Sequence, residues 1–275
     1  MKTILSLLLL LCSLSTNAYT QQSVYDFDIK HWGSAEGLSS NSVRAVAQDT
    51  QGYIWLGTQY GLNRFDGVQF EHFTKEQYRH LASNTITKLL SDSSGYIWVG
   101  TKSGLSGFDP VSLKFERYQV LSEVTAIIEV RPGEIWVAAD SLYRLRDGKV
   151  SRVEQIKAQV SQLEVVGDNV WVSSSEKLYR MNSDGEVTSF DLPAELMQTP
   201  VYDLYWSNNA LHIAAEPGFF HLEANGEVKK CQLPDNNNTA VYKLLKDSRG
   251  DSWISAHRKL FHRHAEQDWQ HITGD

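Results

Sequence analysis

The feature that most constrains the fold of this chain is a repeat within its own sequence. Residues 39–73 (SSNSVRAVAQDTQGYIWLGTQYGLNRFDGVQFEHF) and residues 83–118 (SNTITKLLSDSSGYIWVGTKSGLSGFDPVSLKFERY) align almost without gaps. Weaker copies follow, and the six repeats are anchored at Trp55, Trp98, Trp136, Trp171, His212 and Trp253. The spacings are 43, 38, 35, 41 and 41 residues. A sustained period of this length indicates a solenoid or a propeller.

The length and spacing of the apolar runs in each repeat distinguish a helical solenoid from a propeller. In the first repeat, short apolar runs at 43–48, 53–58, 62–65 and 69–73 alternate with turn residues. Helical repeats would need two stretches of ten or more residues with i, i+3, i+4 spacing, and residues 39–275 contain none. The sequence therefore predicts an all-β fold, a β-propeller of four-stranded antiparallel blades with six full repeats.

The second strand of each predicted blade carries the recurrent tryptophan. Its sequence in the first repeat, YIWLGT, is apolar at nearly every position instead of alternating, which indicates that both faces are buried. The turn before it is Asp-x-x-Gly at 49–52, 92–95 and 247–250, where glycine adopts a positive φ freely. We therefore expect the tryptophans to fill the spaces between adjacent blades.

The number of blades in the complete ring is a separate question. Residues 24–32 resemble a lone outer strand before the first repeat, and residues 269–275 resemble an outer strand and a loop that precede another blade. Natural proteins avoid the open strand edge that missing strands would leave. We expect an incomplete seven-bladed ring in a fragment or truncated reading frame, and a closed six-bladed ring is the alternative.

The first 18 residues differ from the rest. Lys2 precedes an apolar stretch from Ile4 to Leu14 and a small-residue end at Thr16-Asn17-Ala18, as in a cleaved secretory signal. The stretch is short for a membrane span. A retained anchor or a buried strand is the alternative. The sequence predicts a signal peptide at 1–18, a propeller domain at 19–275 and a periplasmic location.

The composition after residue 18 excludes some classes of partner. It leaves 25 basic and 33 acidic side chains and a net charge of −8, with no basic cluster that would favour nucleic acid. No further stretch is long and apolar enough to predict a membrane span in the mature chain. Cys231 is the only cysteine of this part, so no intramolecular disulfide is expected.

Two segments of the chain resemble a known family. Residues 52–66 (GYIWLGTQYGLNRFD) and 95–109 (GYIWVGTKSGLSGFD) are similar to the two-component regulator propeller repeat, and residues 32–43 resemble the segment that opens such proteins. The resemblance extends over residues 30–275 and is strong to about residue 120, after which the repeats drift.

The resemblance implies a periplasmic sensory region of a signalling receptor. Its output would lie in a histidine kinase or diguanylate cyclase domain beyond this chain. We therefore expect a ligand-binding sensor that is not itself an enzyme, and a homodimer if it is part of a receptor. A stand-alone periplasmic propeller enzyme, such as a lyase or hydrolase, and a protein-interaction scaffold are the alternatives.

Enzyme motifs are absent from the sequence. It contains no phosphate-binding glycine loop, GxSxG, HExxH or CxxC motif, and no cofactor is expected. His257, His262 and His264 are the best metal candidates, but they lie in a segment predicted to be a solvent-facing outer strand. No metal site is therefore predicted.

The predicted ligand site is the mouth of the central channel. The loops between the second and third strands converge there in a propeller, and loops on a rigid scaffold often carry function. These loops place one polar residue from each blade at the mouth: Tyr60, Lys102, Asp140, Glu176, Glu216 and Arg258. A small organic molecule or a saccharide would suit this site.

Overall fold

A computed structural model describes residues 30–207, 209–233, 239–247, 249–264 and 269–272. The predicted signal peptide and residues 24–29 of the predicted lone strand lie outside these ranges. Apart from a 3₁₀ turn at Ser34–Glu36, the regular structure consists of 24 strands in six four-stranded sheets. Within the described residues, no helix is long and apolar enough to cross a membrane. The predicted all-β propeller with six full repeats is confirmed.

The first three blades cover residues 45–152. Blade 1 contains β1 (Ala45–Gln48), β2 (Ile54–Thr58), β3 (Gly61–Phe65) and β4 (Phe70–Phe73). Blade 2 contains β5 (Ile86–Ser91), β6 (Ile97–Thr101), β7 (Gly104–Asp109) and β8 (Lys114–Arg117). Blade 3 contains β9 (Ala126–Arg131), β10 (Glu134–Ala138), β11 (Leu142–Arg146) and β12 (Lys149–Arg152). Every strand pairs antiparallel with its sequence neighbour.

The last three blades repeat this order. Blade 4 contains β13 (Val160–Val166), β14 (Asn169–Ser174), β15 (Lys177–Met181) and β16 (Val187–Asp191). Blade 5 contains β17 (Val201–Ser207), β18 (Ala210–Ala215), β19 (Gly218–Leu222) and β20 (Val228–Cys231). Blade 6 contains β21 (Val241–Lys246), β22 (Ser252–Ala256), β23 (Lys259–Arg263) and β24 (Gln270–Ile272). The predicted outer strand at the end of the chain is therefore present as β24, and residues 273–275 lie outside the described part.

The Asp-x-x-Gly pattern of the first inner turn, which recurs in other blades, has a direct physical cause. The Asp49 carboxylate accepts hydrogen bonds from the backbone N–H groups of Gln51 and Tyr53 through Oδ1, at 3.0 and 2.9 Å. Its Oδ2 atom accepts a hydrogen bond from the Trp55 indole at 2.8 Å. Gly52 closes the turn with a φ of 93°, which a residue with a Cβ adopts at an energetic cost. One aspartate thus fixes both the turn and the buried tryptophan.

Four of the repeated tryptophans fill the spaces between adjacent blades, as predicted. Trp55 of blade 1 is 0% exposed, and its ring lies 5.3 Å from the ring of Phe108 in blade 2. Trp98, Trp136 and Trp171 are also buried. Because each side chain belongs to one blade and packs on the next, the hydrophobic core runs between blades.

The first strand of each blade lies nearest the central axis. β1, β5, β9, β13, β17 and β21 contact one another in this order, but no comparable contact joins β21 back to β1 in the described part of the chain. Val46 on β1 and Leu245 on β21 are 61% and 54% exposed. Among the described residues, the facing sides of blades 6 and 1 are thus less covered than those of the other neighbouring blades.

Candidate functional site

Four of the innermost strands carry a β-bulge near their first residue. The register shifts lie between Ile86 and Lys88, Val160 and Gln162, Val201 and Asp203, and Val241 and Lys243. A bulge re-aims the side chains beside it. Lys88, Asp203 and Lys243 consequently occupy equivalent positions in blades 2, 5 and 6, on strands that border the central channel.

Charged side chains from several blades meet in this channel. The Lys243 ammonium donates a hydrogen bond to Asp203 Oδ1 at 2.8 Å, and Asp203 Oδ2 accepts one from the Leu244 N–H at 3.0 Å. Asp203 is only 6% exposed. Glu164 of blade 4 accepts a hydrogen bond from the Trp206 N–H of blade 5 at 3.2 Å. These bonds tie blades 4, 5 and 6 together beside the axis.

Lys88 of blade 2 completes what we call the channel cluster, which consists of Lys88, Glu164, Asp203 and Lys243. Burial lowers the pKa of Lys88, repulsion from Lys243 lowers this pKa further, and attraction to Asp203 opposes both effects. Burial raises the pKa of Glu164 to about 7, against the opposing hydrogen bond from Trp206. Among the described residues, no carboxylate forms an ion pair with Lys88. A half-buried ammonium without such a pair favours an anionic group beside it.

The six residues predicted for the mouth all lie in the turns between the second and third strands of their blades. These turns are on one face of the propeller, and all six residues are exposed: Tyr60, Lys102, Asp140, Glu176, Glu216 and Arg258. No hydrogen bond or ion pair joins any two of them within the described ranges. They therefore share a face of the propeller without forming one contact network.

A pair of tyrosines links two of these turns to the channel. The Tyr202 hydroxyl, at the bulge of β17, donates a hydrogen bond to the Glu216 carboxylate. This bond raises the pKa of Tyr202 to about 12. The Tyr202 and Tyr242 rings lie 5.2 Å apart, and the Tyr242 hydroxyl lies 3.4 Å from Nδ1 of His257. Glu216 is thus the predicted mouth residue with a direct contact to an innermost strand.

The three histidines considered for a metal site are divided between two places. His257 lies near Tyr242, whereas His262 and His264 both contact the Asp251 carboxylate, with 3.1 Å between His262 Nε2 and Asp251 Oδ2. In the described part of the chain, no three His, Cys, Asp or Glu side chains are placed to hold a metal ion. The prediction of a solvent-facing outer strand was wrong for His262, which is buried on β23, the third strand.

Sequence reasoning missed the channel cluster and the two tyrosines. The sequence did contain one indication of this cluster. Three charged residues interrupt apolar runs that otherwise predict buried strands, namely Lys88, Asp203 and Lys243. The bulges that direct these residues toward the channel depend on strand register. That register was not read from the sequence.

Comparison with known proteins gives matches to the repeat and to the fold. The family described as Two component regulator propeller matches residues 37–60 and 80–103, which include the first two strands of blades 1 and 2. Histidine kinase P4 of Formosa agariphila is 44% identical over 46 residues. That match covers 17% of this chain and 3% of the kinase.

Two solved structures illustrate how widely this fold is used. The extracellular domain of a hybrid two component system of B. thetaiotaomicron is similar with a TM-score of 0.75 and 20% identity, over 90% of this chain and 37% of that one. Virginiamycin B lyase from Staphylococcus aureus is similar with a TM-score of 0.66 and 13% identity, over 84% of this chain and 83% of that one. The chain thus spans little more than a third of the sensor structure's length. Within its first two repeats, residues 37–60 and 80–103 match the two-component regulator propeller family.

Proposed function

We propose that this chain is the exported sensory propeller of a signal-transduction receptor and that it binds its signal at the central channel. The family of its first two repeats, the matched segment of a histidine kinase and the fold shared with the extracellular domain of a hybrid two component system support the sensory role. The chemical output lies in another domain or another protein. The signal is a small molecule or a saccharide.

The channel cluster is the observation that carries the ligand site. It brings two lysines and two carboxylates from four blades to the axis, where desolvation strengthens electrostatic interactions. No carboxylate among the described residues forms an ion pair with Lys88, although the Asp203 charge acts on it. We therefore propose that the anionic group of the signal molecule binds to Lys88 and that its neutral part contacts the exposed turns of the mouth.

Calorimetric titration of the purified chain tests this assignment with glucuronate as the anionic probe and glucose as its neutral counterpart. We expect saturable binding of glucuronate, weaker binding of glucose, and at least a tenfold loss of glucuronate affinity in Lys88→Met. Lys114→Met removes the same charge from an exposed position on β8 and is expected to bind like the unmodified chain. Equal affinity of the two lysine variants would contradict the channel site.

A separate variant tests whether the turns of the mouth contact the ligand. Loss of glucuronate binding in the Lys102→Ala, Arg258→Ala double variant would support contact with the turns, whereas unchanged affinity would remove the turns from the site. Turnover of the probe would favour the enzyme alternative over the sensor. A stable complex with another periplasmic protein, without binding of either probe, would favour the scaffold alternative.

A further inference from the structure

Four of the spaces between adjacent blades are filled in the same apolar way. The anchor residue of one blade packs against a cross-strand pair in the next blade, formed by the second and third strands. The groups are Trp55 with Ile97 and Phe108, Trp98 with Ile135 and Leu145, Trp136 with Val170 and Met181, and Trp171 with Leu211 and Leu222. Each space is thus filled by an indole and two apolar side chains.

The space between blades 5 and 6 departs from this arrangement on both sides. The anchor of blade 5 is His212, and the equivalent pair in blade 6 is Ser252 with Arg263. All three positions that are apolar in the other interfaces are therefore polar here. A change on one side alone would leave a polar group against an apolar surface, but here both partners have changed together.

These three residues line a cavity of about 60 Å³. Nδ1 of His212 and Nε of Arg263 are both buried without a hydrogen-bond partner. The His212 ring stacks on Phe219 with 5.3 Å between centroids, and the Arg263 guanidinium lies 4.6 Å from the centre of the Trp269 ring. Aromatic contacts thus hold both side chains, while one nitrogen of each remains unsatisfied. Leaving a buried polar group unpaired is unfavourable, so a molecule that satisfies both nitrogens would bind favourably.

The chemistry of the two nitrogens defines the ligand. Arginine is always charged, and its N–H groups prefer carboxylate oxygens. In the described part of the chain no acidic side chain pairs with Arg263. Burial lowers the pKa of His212 against an opposing hydrogen bond with the Ser207 backbone, which favours the neutral imidazole, and Nδ1 of that form either donates or accepts depending on the tautomer. A hydroxyl group suits both cases, because it both donates and accepts.

We propose that the cavity between blades 5 and 6 binds a small hydroxy carboxylate, with the carboxylate on Arg263 and the hydroxyl on His212. A water molecule needs roughly 10–15 Å³ of such volume, so the cavity admits a ligand of a few heavy atoms. This site is separate from the channel cluster, and its test is therefore independent of the proposed function.

Glycolate is the probe, and acetate, which lacks the hydroxyl, is the comparison. We expect saturable binding of glycolate in calorimetry, with acetate at least fivefold weaker. Arg263→Met introduces the residue found at this position in blade 4 and is expected to weaken glycolate binding at least tenfold. Arg180→Met removes an equal charge from an exposed position in blade 4 and is the matched control. It is expected to leave the affinity unchanged.

A second measurement does not depend on any variant folding correctly. In the unmodified chain, glycolate is expected to shift the imidazole nitrogen resonances of His212 in an NMR titration with the same midpoint as the calorimetry.

The His212→Phe, Arg263→Met double variant restores an apolar interface and is expected to lose binding without a lower melting temperature. The proposal is overturned if glycolate fails to bind, leaves the His212 signals unchanged or binds the double variant equally well.

Discussion

Replacing equivalent tryptophans in blades 1 and 6 by alanine tests how the blades are held together. Trp55 is fully buried between blades 1 and 2, where its ring lies 5.3 Å from Phe108 and its indole N–H donates to Asp49. Trp253 occupies the same position in blade 6 and donates a similar hydrogen bond to Asp247 at 3.2 Å. Trp253 is only partly buried.

The structure predicts different losses of unfolding free energy for the two substitutions. Trp55→Ala removes a completely buried indole from a well-packed interface, and such substitutions cost about 3–5 kcal/mol. Trp253→Ala removes a ring that is only partly buried, so we expect a loss of about 1–2 kcal/mol. For a chain of this size, about 4 kcal/mol lowers the melting temperature by about 8–16 °C.

Thermal unfolding followed by circular dichroism, with urea titration as a second assay, measures both losses. The reasoning requires Trp55→Ala to be the more destabilised variant by at least about twofold in unfolding free energy. Equal losses would refute it, because they would mean that the outer face of blade 6 is covered to the same extent as an internal interface. Trp55→Phe keeps most of the ring and is expected to fall between the unmodified chain and Trp55→Ala.

Two further predictions concern pH and backbone geometry. The folded-state pKa of Glu164 is raised from 4.5 to about 7, so its contribution to stability is fully present below pH 4.5 and is lost as the pH rises through 7. We expect the unfolding free energy to decrease by roughly 2 kcal/mol between pH 5 and pH 8, after allowance for partial exposure, and Glu164→Gln to abolish this decrease; an unchanged pH profile in that variant would contradict the assignment. Gly104 has a φ of 129°, and an added Cβ would lie 2.2 Å from the Val120 carbonyl oxygen, whereas Gly67 has a φ of 99° with open space around it. Gly104→Ala is therefore expected to lower the urea midpoint clearly more than Gly67→Ala, and similar midpoints would show that the turn shifts to relieve the contact.

Much of the fold could be predicted because its signals are local and repeated. In the first blade, Asp49, Gly52 and Trp55 lie within seven consecutive residues and form one hydrogen-bonded unit. Such chemistry acts between near neighbours in the chain, so the sequence displays it directly. The strand boundaries of this blade were correct to within two residues, since turn residues punctuate every strand.

The candidate sites were predicted less completely because they depend on packing between repeats. The six mouth residues were placed in the correct turns, but the channel cluster was missed. Glu164 and Asp203 lie far apart in the sequence, and only the arrangement of blades around the axis brings both of them close to Lys243.

The sequence by itself determined the repeat, the all-β class, the inner turns and the role of the tryptophans. Only the tertiary structure decided which charges meet at the axis, how far the described parts of blades 6 and 1 cover each other, and that His212 and Arg263 line one cavity. The physical reason is the distance along the chain between the residues that interact. Hydrogen bonds within a turn act between neighbouring residues, whereas a channel or a space between blades exists only once separate sheets have packed together.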